Sequence, residues 1–290
     1  MDHRDLCLAV LIDADNAPSG SIREVLEEIS VYGSPTIKRI YGDWTKPNLS
    51  SWKKLLLEHA ITPIQQYGYT TGKNSTDSAM IIDAMDILYS NRVDGFVLVS
   101  SDSDFTRLAT RLREAGMKVI GIGEKKTPKP FIVACDKFIY VEVIRAAAEE
   151  AARQAEQEQD PEPEPEKPRA AKPRKPQEPG VVGTLVASAS PPPEDSGVVR
   201  RQKLPKLVVA CIASSIEDLA DEDGYVLMGE LANLIMKKQP DFDPRNFGYR
   251  KLTQLVKSHS RFEVEMRPDP SGHGKQVYVR DRQAKQDTDD

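Results

Sequence analysis

The chain has 290 residues, and its 40 basic and 45 acidic side chains give a net charge of −5 at neutral pH. This near balance excludes a general electrostatic attraction to nucleic acid, so we expect any polyanionic partner to be held locally. No apolar run approaches the roughly 20 residues that cross a bilayer, and the three cysteines lie far apart, which excludes a membrane protein and a disulfide scaffold and favours a cytoplasmic protein.

From residue 5 to about 142, short β-branched runs alternate with amphipathic stretches, as in stacked βαβ units. The first run is too short, and too soon followed by acids, to be a signal peptide. The predicted strands are Leu6–Ile12, Thr36–Tyr41, Thr62–Gln66, Gly95–Val99, Lys118–Ile122 and Phe138–Val141. The predicted helices are Ser21–Ser30, Leu49–His59, Thr76–Tyr89 and Phe105–Ala115. The pattern predicts an α/β fold with a central parallel sheet.

The composition changes after about Val143, where a helical tail rich in Ala and Glu leads into a Pro/Glu/Lys-rich stretch and then a Gly/Ser/Pro-rich one. Such a segment cannot bury enough apolar surface to fold. We therefore expect a first domain at 5–145, a disordered linker at 146–202 and a second domain at 203–283. The linker carries a basic cluster that fits a solvated spacer better than a contact with RNA phosphates: Lys167, Arg169, Lys172, Arg174 and Lys175.

Folding is predicted to resume at about Leu204. The segments LPKLVVACIASSIEDLA, GYVLMGELANLIMKK and DPRNFGYRKLTQLVKSH predict three helices, the second preceded by a turn. FEVEMRP and QVYVR then predict a hairpin around 269–274. Three helices closed by a two-stranded wing indicate a small winged-helix domain.

Acidic residues follow two of the predicted core strands at the point where each strand ends. In LAVLIDADN the strand is followed by Asp13, Asp15 and Asn16, and in FVLVSSDSDF it is followed by Asp102 and Asp104. Ligands bind outside the carboxyl ends of the strands in open α/β sheets. We therefore expect the two groups of acids to meet at one edge of the sheet.

A third acid comes from the helix predicted over GKNSTDSAMIIDAMDILYS. Its buried stripe is Met80, Ile81, Ala84 and Leu88, and Asp77 lies on the same stripe one turn earlier. Because a helix in a βαβ unit begins near the carboxyl ends of the strands, Asp77 is expected beside the two acidic groups. Asp83 lies off the stripe and is a weaker candidate.

Several carboxylates gathered in one place repel one another unless a cation neutralises them. Oxygen ligands without a nearby His or Cys suit Mg²⁺ or Mn²⁺ rather than Zn²⁺. Such ions support phosphodiester hydrolysis by activating water and stabilising the leaving oxygen. We therefore expect a shared metal site with catalytic and metal-binding roles for four residues: Asp13, Asp77, Asp102 and Asp104.

Each acid taken alone also has a simpler interpretation. An aspartate that follows a strand is often a turn or N-cap residue, and Asp104 could merely cap the helix that begins near Phe105. The joint placement of the four acids favours the metal site over four separate turns. For Asp15 and Asp83 the two interpretations stay open.

Four motifs in the first domain resemble those of the NYN domain, a branch of the PIN-like nucleases. They are IDADN at 12–16, YGDW at 41–44, GKNSTD at 72–77 with Asp83 beyond, and VSSDSDFTRL at 99–108. The resemblance implies a PIN-like three-layer sandwich and adds Asn16 to the acidic centre. It also implies that Lys73 and Ser101 lie beside that centre, facing substrate phosphate, although Lys73 could equally be a solvated loop lysine.

Residues 223–264 resemble the LOTUS domain, also called OST-HTH, through the Gly-Tyr turn, the PDFDPRNFGYRKL segment and the closing FEV. Members of that family are winged-helix modules implicated in RNA binding or in docking helicases. A basic helix carrying Tyr249, Arg250, Lys251 and Lys257 could lie on phosphates. Phe242, Phe247 and Leu252 are expected in the core.

These observations favour a metal-dependent ribonuclease whose second domain recruits single-stranded or structured RNA, or a protein partner, with homo-oligomers possible. A non-cleaving RNA-binding adaptor that keeps the fold is the main alternative. A phosphatase of the haloacid dehalogenase type would explain the paired aspartates after the first strand but lacks a convincing supporting lysine. The four histidines lie outside the strand-end acids, which argues against Ser/His/Asp or Cys/His catalysis.

Overall fold

The structure is a computed structural model that describes residues 5–67, 75–158, 204–221, 223–268 and 275–284. Its N-terminal domain is built on six strands. They are β1 (Cys7–Asp13), β2 (Ser34–Gly42), β3 (Thr62–Gln65), β4 (Gly95–Val99), β5 (Lys118–Gly123) and β6 (Lys137–Tyr140). They pair in the order β3-β2-β1-β4-β5-β6, and every pairing is parallel. The predicted central parallel sheet is confirmed.

Among the described residues of this domain, six α-helices cover the two faces of the sheet. They are α1 (Ile22–Ser30), α2 (Trp52–Glu58), α3 (Ser75–Tyr89), α4 (Thr106–Glu114), α5 (Lys129–Ala134) and α6 (Val141–Glu158). Buried side chains of α3, α4 and α5 share one apolar core, and those of α1, α2 and α6 share another. The result is the expected three-layer α/β sandwich.

The central strands are buried on both faces, which explains their continuous apolar sequence. Along β4, Phe96 and Leu98 enter the core under α3 and α4, while Val97 and Val99 enter the core under α1 and α2. Burying side chains of this size contributes about 1.5–3 kcal/mol each. This burial fixes the register of β4 beside β1 and therefore the positions of the residues that follow both strands.

The strand order reverses direction between β1 and β4. The chain leaves β1 for α1 on one face and leaves β4 for α4 on the other face. Helices that depart to opposite faces leave a crevice outside the carboxyl ends of the two strands. The acids after β1 and β4 lie at this crevice.

In this domain, sequence reasoning located the strands to within two residues but did not predict two elements. Helix α5 has only six residues, and Pro47–Leu49 forms a 3-10 turn, so that α2 begins three residues later than predicted. Helix α6 continues to Glu158, beyond residue 145, where the first domain was expected to end, and the domain bounds stay a prediction. Among the helices that the structure describes, none combines the length and hydropathy needed to cross a bilayer.

The C-terminal domain packs three helices against an antiparallel sheet with strand order β7-β9-β8. Its elements are α7 (Lys206–Glu217), β7 (Tyr225–Leu227), α8 (Met228–Lys238), α9 (Leu252–Lys257), β8 (Phe262–Pro268) and β9 (Lys275–Asp281). The winged-helix expectation is confirmed, with β7 as a third strand where only a turn was predicted. The turn of the predicted hairpin, 269–274, lies outside the described residues.

The third predicted helix of this domain is shorter than expected. Its first part is a 3-10 turn over Pro244–Phe247, and Gly248 follows with a φ of 80°. A glycine in this left-handed conformation ends a helix, so α9 begins only at Leu252. Tyr249, Arg250 and Lys251 therefore precede the helix instead of lying on it. Phe242 is buried in the core, as predicted.

Candidate metal centre

Asp13 is the last residue of β1, and its side chain is almost fully buried. Its carboxylate accepts hydrogen bonds from the Asp15 backbone N–H at 3.1 Å and from the Asn16 amide at 2.8 Å. The Ser100 hydroxyl donates a third bond at 2.8 Å. Burial raises the pKa of Asp13, although these donors oppose the rise. The donors therefore hold this carboxylate in one orientation.

Ser100 is the residue that joins the ends of β1 and β4, and sequence reasoning missed it. Its hydroxyl donates to Asp13 and accepts the backbone N–H of Asp102 at 3.0 Å. A side chain at Gly123 would place its Cβ 2.6 Å from the Ser100 carbonyl oxygen. The glycine therefore lets β5 approach closely beside the site.

Asp102 and Asp104 lie in the turn between β4 and α4. The Asp102 carboxylate accepts the Asp104 backbone N–H at 2.9 Å and so caps the 3-10 turn Ser103–Phe105. The capping role considered for Asp104 therefore belongs to Asp102. This bond uses one of the two carboxylate oxygens of Asp102, so capping and metal binding are compatible.

Asp77 lies in the first turn of α3, as predicted, and Met80, Ala84 and Leu88 of the same helix are buried against the sheet. Its side chain is half-buried beside the crevice. Burial first, and then the charges of Asp13 and Asp102 with further help from Asp104, raise the pKa of Asp77 to about 6. Negative charge is therefore concentrated around Asp77.

Three carboxylates from two distant parts of the chain converge here, and we call them the acidic cluster. One carboxylate oxygen from each of Asp77, Asp102 and Asp104 lies within 4.8 Å of the others. Asp77 and Asp102 are half-buried and Asp104 is exposed, so the cluster opens to solvent. Asp13 is outside this closest set and acts on it through its charge.

The donor set of the acidic cluster fits a hard divalent cation. Oxygens that share one octahedral Mg²⁺ lie about 3–4 Å apart, because each ligand is about 2.1 Å from the ion. The separations in the cluster are at most 4.8 Å, which small side-chain rotations can close. Carboxylate oxygens without thiolate or imidazole favour Mg²⁺ or Mn²⁺ over softer metals.

The secondary candidates have different positions. Asp15 is exposed and its charge helps to raise the pKa of Asp77, whereas Asn16 holds Asp13. Ser101 is buried, and its hydroxyl accepts the Glu124 backbone N–H at 2.9 Å. Lys73 lies outside the described residues.

Asp83 forms an ion pair instead of joining the acidic cluster. Its carboxylate accepts hydrogen bonds from the Arg39 guanidinium and from the Tyr41 hydroxyl, both on β2. These contacts tie the middle of α3 to the sheet. These contacts favour the structural interpretation of Asp83 over a metal-binding one.

In the C-terminal domain, the four predicted RNA-binding residues do not form one surface helix. Tyr249 is only 8% exposed and belongs to the core, which corrects its assignment to an RNA-facing surface. Arg250 forms an ion pair with Glu150 of α6 at 2.7 Å. Lys251 and Lys257 are exposed, before and at the end of α9.

Three solved structures are similar to parts of the chain. A protein of unknown function from Vibrio parahaemolyticus is 19% identical, with a TM-score of 0.39, over 48% of this chain and 94% of its own. An uncharacterized protein from Nitrosomonas europaea is 33% identical, with a TM-score of 0.27, over 33% of this chain and 89% of its own. A protein from Chromobacterium violaceum is 27% identical, with a TM-score of 0.23, over 28% of this chain and 87% of its own.

No curated protein matches the chain significantly. Family models match two separate parts of the chain, and they confirm the two resemblances that the motifs suggested. The chain contains an NYN domain, of the PIN-like nuclease class, over residues 8–142 and an OST-HTH/LOTUS domain over residues 201–273.

Proposed function

We propose that the NYN domain is a ribonuclease that hydrolyses phosphodiester bonds with Mg²⁺ or Mn²⁺ bound at the acidic cluster. The observation that carries this proposal is the approach of Asp77, Asp102 and Asp104 to within 4.8 Å. The match to the NYN domain supports a nuclease, and the presence of an OST-HTH/LOTUS domain supports RNA as the substrate.

The residues in and beside the acidic cluster would have different roles. Asp77, Asp102 and Asp104 would hold the metal, while Asp13 supplies negative charge from a fixed position behind them. Asn16 and Ser100 keep Asp13 in place through hydrogen bonds of 2.8 Å. When bound, the ion supplies an activated water and stabilises the leaving oxygen.

The electrostatics of the site also favour phosphate chemistry. Four neighbouring carboxylates act on the pKa of Asp77, and such a group would repel a polyanion unless a cation neutralised it. Repulsion among these carboxylates would lower the stability of the metal-free protein. The same negative charge would make the binding of RNA depend on a bound metal ion. The OST-HTH/LOTUS domain would recruit RNA or a protein partner. Self-association of the chain is measured in the same preparations.

The direct test is cleavage of end-labelled single-stranded RNA by the purified full-length chain, with Mn²⁺, with Mg²⁺ and with a chelator. We expect metal-dependent products from the wild type. Asp102→Asn should lower the rate by at least about 100-fold, the scale of losing one group that stabilises the transition state.

Asp86→Asn is the matched control, because Asp86 is an exposed aspartate on the same domain and the substitution removes the same charge. It should cleave like the wild type. Equal cleavage by Asp102→Asn would indicate a contaminating nuclease and reject the assignment. Retained RNA binding without cleavage by the wild type would favour the non-cleaving adaptor.

A further inference from the structure

Strand β6 is at one edge of the six-stranded sheet. An edge strand presents backbone groups that other parts of a protein usually cover. In this chain the Phe138 N–H of β6 donates to the carbonyl oxygen of Pro240, in the C-terminal domain, at 2.9 Å. The two domains are thus joined by a backbone hydrogen bond between residues 102 positions apart in sequence.

Side chains extend this contact along β6 in both directions. The Tyr140 hydroxyl donates to the Asp241 carboxylate at 2.9 Å. At the other end, the Lys137 ammonium lies 4.0 Å from the Met236 sulfur. The end of α8 and the segment after it therefore follow the outer edge of β6 over several residues.

An ion-pair cluster lies beside this edge and links α1 to the C-terminal domain. Arg245 donates to both carboxylate oxygens of Glu28, each at 2.8 Å, and also to Asp243. The side chains of Arg245, Glu28 and Asp243 are only 25%, 12% and 10% exposed. A two-pronged pair of this kind fixes orientation as well as distance.

The charges at this contact compensate one another. The Lys137 ammonium stands 5.0 Å from the centre of the Tyr32 ring, and burial lowers its pKa while Asp243 and Glu28 oppose that change. Burial disfavours the charged form of Asp243, but Arg245 outweighs it and lowers the pKa of that carboxyl. Two acids and two bases thus share one partly buried region.

We infer that β6, α1 and α6 of the NYN domain form a docking surface for residues 236–250 of the same chain. The OST-HTH/LOTUS domain is therefore a fixed neighbour of the nuclease fold, not a module that ranges freely on its linker. Arg245 and Arg250 take part in the contact between the domains, so we expect nucleic acid or a protein partner to bind a different face.

The docking surface reaches the same end of the sheet as the acidic cluster. Tyr140 ends β6, which runs parallel to β4 two strands away. Neighbouring strands are about 4.8 Å apart, so β6 is about 10 Å from the strand that leads to Asp102, and the docked segment lies on the outer side of β6. A partner bound to the C-terminal domain would consequently be held at a constant distance from the proposed metal site.

Amide hydrogen exchange at Phe138, measured by NMR on the full-length chain, tests this inference. Exchange at this amide requires the docked segment to leave, so it should be slow in the wild type. Glu28→Gln should accelerate it by about 30-fold or more, the scale of removing one member of a partly buried charge pair. Arg245→Met, made in the other domain, should act in the same way.

Glu27→Gln is the matched control, because Glu27 is an exposed neighbour that pairs with Arg23 within α1. It should leave the exchange of Phe138 unchanged. Amides of β4 should keep their protection in every variant, which separates undocking from unfolding. A Phe138 amide that exchanges as in an open strand in the wild type overturns the inference. Equal exchange rates of the Phe138 amide in Glu28→Gln and Glu27→Gln overturn it as well. So does a loss of protection at the β4 amides that accompanies the loss at Phe138 in both Glu28→Gln and Arg245→Met.

Discussion

Two groups of charged residues in this chain differ in how their charges are balanced. At the carboxyl ends of β1 and β4, aspartates surround Asp77 and raise its pKa. At the contact between the domains, Arg245 lies between Glu28 and Asp243, and opposite charges meet. In the second arrangement the residues neutralise one another, whereas in the first the proposed cation would do so. The balance of charge therefore separates a candidate reaction site from a structural contact.

The same difference occurs within a single helix. Asp77 and Asp83 both belong to α3, but Asp83 is paired with Arg39 while Asp77 has acids as neighbours. Six residues along one helix thus separate a candidate metal ligand from a structural ion pair. The following four experiments test whether this contrast holds.

The largest expected effect is that of Asp77→Asn on the proposed activity. We expect RNA cleavage to fall by at least about 100-fold, because one oxygen of the metal site loses its charge. The metal-free variant should meanwhile be more stable than the wild type by about 1 kcal/mol, since like-charge repulsion is relieved. Cleavage rates measure the expected loss of activity, and urea unfolding in chelator measures the expected gain in stability. If Asp77→Asn were less stable than the wild type in chelator, the contrast between the two charged groups would be contradicted.

Asp83→Asn is expected to have the opposite pattern. Its unfolding free energy should fall by about 2 kcal/mol, because Arg39 would remain partly buried with a weaker partner. Mn²⁺ affinity, followed by titration calorimetry on the folded variant, should change only a few-fold. If Asp83 were a ligand, affinity would be lost while stability was kept. The Arg39→Met, Asp83→Leu double variant should recover part of the lost stability.

The pH dependence of stability should reveal Asp77 in the metal-free protein. Its pKa in the folded state is about 6, above the value of about 3.9 for an unfolded chain. The folded state therefore holds more protons between these values, and the unfolding free energy should fall as pH rises from about 4 to about 6. We expect Asp77 to contribute about 1 kcal/mol after allowance for solvent screening. Urea unfolding of wild type and Asp77→Asn across this range measures the difference, which saturating Mn²⁺ should remove. A wild-type slope no steeper than that of Asp77→Asn would contradict the prediction.

The smallest expected effect is that of Ser100→Ala. It removes the hydroxyl between Asp13 and Asp102, so we expect a loss of about 1 kcal/mol in stability. Cleavage should fall by about tenfold, as is common when a residue that orients a ligand is lost. Ser103→Ala, at an exposed position in the same turn, serves as the control. Equal rates for the two variants would remove Ser100 from the site.

The strands and the main acids could be predicted because their signals are local. The apolar run of β4 and the acids directly after it lie within ten residues, and the same holds for β1. Helix α5 was not predicted because it has only six residues, which follow Pro128 and are too few to show a helical periodicity. Ser100 escaped because a serine after a strand looks like an ordinary turn residue until its partner is known.

Other features depend on partners that are far away along the chain. Asp83 pairs with Arg39, 44 residues before it, and Arg245 pairs with Glu28, 217 residues before it. No periodicity connects such positions, so Asp83 remained open and the contact between the domains was not anticipated. The burial of Tyr249 was missed for a related reason, because Gly248 interrupts the helix that was expected to expose it.

The hydrogen bond from Ser100 to Asp13 joins residues 87 positions apart, and β4 pairs with β1 instead of with β3. A ribosome must therefore synthesise more than a third of the chain before the first strand receives this neighbour. Pairings between such distant segments form slowly, because the intervening chain must be closed into a loop first. A newly made chain would pass through this stage before Asp13, Asp77 and Asp102 come together, so the proposed cleavage of RNA would begin only after the sheet was complete.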